Sequence, residues 1–75
     1  MWEFGTIEVE GQDVSYGMKV FEEPSVFGIN NGRISKLTLV NSNNKVIANY
    51  DRGWDVLPID KIAKEALGMI LYARN

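Results

Sequence analysis

The chain predicts a small α+β fold, a four-stranded antiparallel meander with one C-terminal helix packed on one face. Three observations carry that reading. Apolar and polar residues alternate through the first part of the chain, turn-forming residues cut that part into four runs, and the final segment from Pro58 changes to helical spacing.

Trp2 to Val9, "WEFGTIEV", is rich in aromatic and β-branched residues and reads as the first strand. In "QDVSYGMKVF" the residues Val14, Tyr16, Met18 and Val20 fall on one face, which defines a second strand. Gly11 in the intervening "EGQD" supplies a tight turn, so these two strands form an antiparallel hairpin. The next stretch, "EEPSVFGINNG", contains Pro24, Gly28 and Gly32 and reads as the longest loop. Val26, Phe27 and Ile29 are apolar for such a loop and form a candidate interface.

"RISKLTLVN" is the third strand, but its pattern changes phase. Ile34 has one parity, whereas Leu37 and Leu39 have the other, and a bulge near Ser35 and Lys36 reconciles them. "NSNN" turns the chain into a fourth strand, "KVIANYD", with Val46, Ala48 and Tyr50 sharing a face. In the last segment Ile59, Ile62, Ala63, Ala66, Leu67 and Ile70 make an apolar stripe, with Pro58 expected at the first helical position. Gly68 lies on the opposite side, where it marks either a close contact or a tolerated defect. The second face of the sheet has no covering element, so solvent or another copy must cover it.

With 75 residues, 45% of them hydrophobic, residues 1–75 make a single domain with one thinly covered core. The chain has no cysteine and no histidine. That excludes thiolate zinc sites and the Cys and Ser-His nucleophile systems, and it makes a non-enzymatic role the expectation, with no cofactor and no metal. The longest apolar stretch, Ala66 to Ala73, is far short of the roughly 20 residues that span a bilayer. The first residues do not form a signal peptide, so a cytoplasmic protein with no membrane partner is expected.

The net charge of −2 conceals an asymmetry. Residues 1–31 hold six acids against Lys19 alone, and residues 32–75 hold four acids against seven bases. The overall sign makes nucleic acid an unlikely partner, while the contrast between halves favours contact between copies.

Two stretches could carry recognition. In "YDRGWD" the Arg52 guanidinium can pair with Asp51 or Asp55, stack on Trp54, or reach an external phosphate or carboxylate. If structural, the same stretch is a corner with Trp54 buried between the helix start and the sheet. In "NNGRISK" a turn offers backbone amides beside Arg33 and Lys36, a combination that suits an anion and equally a hairpin entry with solvated charges. Neither stretch contains a phosphate-binding glycine motif.

At "GRISKL" (Gly32 to Leu37) and "YDRGWD" (Tyr50 to Asp55) the chain resembles a small uncharacterised family associated with phages and prophages of Gram-positive bacteria. That resemblance implies a compact domain without an assigned activity, and a phage accessory or anti-defence role. It assigns no site residues.

Two functions follow as expectations. The first is a binding module that acts through protein contacts, with a protein partner or itself as a homo-oligomer, through Val26, Phe27 and Ile29. The second is a binder of a small anionic ligand such as a nucleotide, through Arg33, Lys36 and Arg52 with Tyr50 or Trp54 stacking.

Overall fold

A computed structural model describes residues 1–75. Five strands precede the helix: β1 Trp2–Val9, β2 Gln12–Val20, β3 Ile34–Val40, β4 Val46–Asp51 and β5 Trp54–Val56, then α1 Lys61–Arg74. The strands pair antiparallel in the order β1-β2-β3-β4-β5, so the meander is the expected one extended by a strand. The expected corner at Trp54 is that strand. Three residues are too few to display a period of two, and this hides β5 in the sequence. No helix is long and apolar enough to cross a membrane.

Glu10 and Gly11 close the first hairpin with φ of 50° and 78°, between the paired Val9 and Gln12. Two left-handed residues in a two-residue loop match the twist of the flanking strands. Along this hairpin Phe4 is opposite Gly17, and Gly5 is opposite Tyr16. Each ring lies over the glycine across from it: a Cβ at Gly5 would sit 2.6 Å from Tyr16 Oη, and one at Gly17 would sit 3.0 Å from Phe4 Cδ1. The glycines thus admit one ring to each face of the sheet.

Bulges determine which side chains enter the core. Lys19 pairs with Lys36 and Val20 with Ile34, so Ser35 is the extra residue, as the phase change requires. Ile34, Leu37 and Leu39 are consequently all buried. A second bulge falls at Ile47, because Leu39 pairs with Ala48 and Val40 with Val46. It turns Ile47 inward and leaves Val46 exposed, contrary to the simple alternation expected of β4.

The helix begins later than the proline suggests. Asp60 is its N-cap, with Oδ1 accepting a 2.7 Å hydrogen bond from the Ala63 amide, while Ile59 lies outside the helix and is exposed. Ala63, Ala66 and Ile70 are the buried residues of α1, which packs on β1 and β3. Apart from the Phe4 ring over Gly17, the centre of the uncovered sheet face is polar: Thr6 and Ser15 lie across from each other with their hydroxyls 3.3 Å apart, and Thr38 faces Asn49. Such a face is compatible with water, as in antiparallel sheets covered on one side.

Candidate functional site

At one end of that polar face, β2, β3, the loop of residues 21–33 and the β4–β5 turn enclose a cleft of about 320 Å³. Lys19, Phe21, Ser25, Phe27, Ser35, Lys36 and Arg52 line it. Three of these side chains are cationic, and none is acidic.

The register creates the charge. Lys19 and Lys36 are direct cross-strand partners. Like charges in such positions repel, at a cost of up to about 1 kcal/mol. Asp51, opposite Lys36 on β4, approaches it to 3.8 Å, but both side chains are well exposed and the pair is weak. Lys19 Nζ lies 5.2 Å from the centroid of the Phe21 ring. That cation–π contact moderates the repulsion without removing the charge.

The third cation comes from the turn. Arg52 has φ of 59°, in the left-handed region, and its amide donates a 3.1 Å hydrogen bond to the Ser35 carbonyl. The β3 bulge and the β4–β5 turn are thereby joined at the cleft. A left-handed conformation costs a residue with a Cβ about 1 to 2 kcal/mol. Phe27 supplies one wall, and both its backbone groups are engaged: its amide donates to Ser25 Oγ at 2.9 Å, and its carbonyl accepts from Tyr50 Oη at 2.9 Å. This part of the loop is therefore held firmly.

Of the residues expected to bind, Lys36 and Arg52 converge here and Arg33 does not. Arg33 Nη2 donates to the Arg74 carbonyl at 2.7 Å, placing a cation at the C-terminal end of α1. Beside it the Asn75 side chain accepts from the Ile34 amide and donates to the Ile29 carbonyl, at 3.1 and 3.0 Å. A Cβ at Gly32 would collide with that side chain. "NNGR" is thus the dock for the end of the helix.

Tyr50 and Trp54 do not stack in the cleft. They meet edge to face at 5.0 Å and 74°, with Tyr50 buried and Trp54 half-buried against the core. Trp54 packs on its strand partner Tyr50 rather than filling a corner between sheet and helix. Ile29 is 2% exposed and belongs to the core, which removes it from any interface, whereas Val26 and Phe27 are 78% and 58% exposed. Lys19, Phe21, Ser25, Phe27 and Ser35 complete the cleft without having been assigned to an anion site from the sequence. The outward parity of Lys19 on β2 was readable, but its pairing with Lys36 was not.

A second charge cluster lies elsewhere. Lys61 approaches Glu10 to 3.3 Å and Glu65 to 3.9 Å, joining the first turn of the helix to the β1–β2 loop. The two carboxyl groups thus flank one ammonium. The neighbouring Glu65 carboxyl and Lys61 hold Glu10 below the usual carboxylate value, whereas the neighbouring Glu10 raises Glu65. At the other end of the helix the contact with Glu3 raises Arg74. No group of three or more acidic side chains is arranged to hold a metal ion.

The chain belongs to the family described as Domain of unknown function (DUF7678), whose model matches residues 1–75. Comparison with curated proteins and with solved structures found no match. The family description assigns no ligand, so the chemistry of the cleft has to be argued from its own residues.

Proposed function

We propose that the domain is a non-enzymatic binding module that captures a small anionic ligand in the Lys19, Lys36 and Arg52 cleft. One observation carries this reading: three cations converge on a cavity whose lining contains no carboxylate. All three are placed at a cost to the fold, by like-charge opposition at Lys19 and Lys36 and by the left-handed backbone of Arg52. An anion in the cleft offsets the repulsion that the free protein carries.

The test is a thermal-shift series with inorganic phosphate, pyrophosphate, citrate and nucleotides at low salt. An anion at about 100 times its dissociation constant stabilises the fold by roughly 2.7 kcal/mol. That shift should vanish in Arg52→Ala and Lys36→Ala and shrink as salt rises. An unchanged melting temperature with every anion would remove the proposal.

A second reading, contact with another copy of the chain, is supported by different residues. β1 lies at the open edge of the sheet with neither proline nor bulge, and carries Trp2 and Phe4 at 50% and 74% exposure, stacked at 6.1 Å. Long, regular edges of this kind pair readily with a further strand. Sedimentation velocity at rising concentration tests it, and a monomer at high micromolar concentration refutes it.

A further inference from the structure

We propose that the anionic ligand is a nucleoside phosphate, its phosphate held by Ser35, Lys36 and Arg52 and its base by Phe27 and Phe21. This assignment rests on the anion reading above and divides the same cleft into two subsites.

The polar subsite is built by the bulge. An extra residue in β3 turns Ser35 and Lys36 toward the same side, instead of letting them alternate. Ser35 is 5% exposed, yet it lines the cleft. A serine that lines a cavity beside two cations suits a phosphate oxygen, which its hydroxyl can serve as donor. Arg52 starts beside it, tethered through its own amide to the Ser35 carbonyl at 3.1 Å.

The other subsite is apolar. Phe21 and Phe27 are the hydrophobic members of the lining, and they leave 44% and 58% of their surface exposed. Inorganic phosphate would occupy the cationic end and leave both rings in water. A ligand with a planar ring would cover them as well, and a cavity of about 320 Å³ falls within the size range of organic-ligand sites. The bonds from Ser25 and Tyr50 fix the Phe27 backbone, so the main chain that carries the ring needs no further ordering.

Calorimetric titration of the full chain with the four ribonucleoside 5′-monophosphates, ribose 5-phosphate, inorganic phosphate and the free nucleosides tests the division. At least one nucleotide should bind about 10- to 100-fold more tightly than ribose 5-phosphate, the range expected from stacking one base. Phe27→Leu, checked by its melt, should remove that advantage and leave ribose 5-phosphate binding as it was. Arg52→Ala should weaken both phosphates. If nucleotides bind no better than ribose 5-phosphate, the base subsite is wrong and the anion reading stands. If a nucleoside binds as tightly as its nucleotide, the phosphate subsite is wrong. If no phosphate compound binds, both proposals fall.

Discussion

Replacing Trp54 with alanine tests the packing that stands behind the cleft. Removing a fully buried tryptophan costs about 3 to 5 kcal/mol, and Trp54 keeps only a minor part of its surface exposed, so about 2 to 4 kcal/mol is the packing share. The edge-to-face contact with Tyr50 at 5.0 Å adds about 0.5 to 1 kcal/mol. The sum is a loss of roughly 2.5 to 5 kcal/mol, set against the roughly 4 to 11 kcal/mol expected for a domain of this length. The protein should be severely destabilised, with a melting temperature lower by at least about 10 °C. Urea melts followed by far-ultraviolet circular dichroism measure the loss. Trp54→Phe, which can keep an aromatic edge on Tyr50, should recover much of it. The effect should also reach the site, because Tyr50 holds the Phe27 carbonyl. A loss below 1 kcal/mol would show that Trp54 rests on the surface and does not support Tyr50.

Four further outcomes are expected. Arg33→Ala should destabilise the fold by about 1 to 2 kcal/mol through loss of a charged donor to the end of the helix, with anion affinity unchanged; loss of affinity with an unchanged urea midpoint would reverse that assignment. Arg52→Gly should leave stability equal or up to about 1 kcal/mol higher, since relief of the left-handed backbone outweighs the flexibility of glycine, while anion binding is lost; a clearly less stable variant would count against strain at this position. Glu65→Gln should be more stable than the parent at neutral pH and lose that advantage in acid: the raised value of Glu65 means that its charged form is disfavoured in the fold, a cost that appears as pH rises through the folded value and is absent below the unfolded one. A difference between these two proteins that does not vary from pH 3 to 7 would contradict it. Gly68→Ala should stabilise by about 0.5 to 1 kcal/mol, because a Cβ there meets nothing within 4 Å, and a destabilised variant would reveal a contact the structure does not contain.

The sequence was legible wherever short-range constraints decide structure. The alternation of Val14, Tyr16, Met18 and Val20, the turn at Gly11 and the phase break at Ser35 each depend on a few neighbouring residues, and each corresponds to an element or a bulge. Helical spacing located α1, but proline drew its expected start forward of Asp60, where a side-chain cap begins it. Illegibility begins with long loops. A two-residue turn fixes the register of β1 on β2, whereas residues 21–33 separate β2 from β3 and leave their register free. Lys19 could therefore not be seen opposite Lys36. Arg33 misled for the same reason: its partner, the Arg74 carbonyl, is brought to it only by the packed helix.

The location of the cleft follows from where regular pairing stops. In the body of the sheet, pairing decides side-chain placement: rings meet glycines and apolar residues meet the helix. At the cleft end there is a bulge at Ser35, a left-handed arginine at position 52 and two lysines facing each other. Together the last two cost roughly 1 to 3 kcal/mol, and neither is imposed by the topology. A glycine at position 52 would close the turn with less strain, and a threonine at position 36 would pair across the sheet without repulsion. A purely structural account of this end therefore has to explain why it is less stable than the same backbone allows. The proposed anion capture accounts for it, since the charges that raise the free energy of the empty cleft are those that would lower it on binding phosphate.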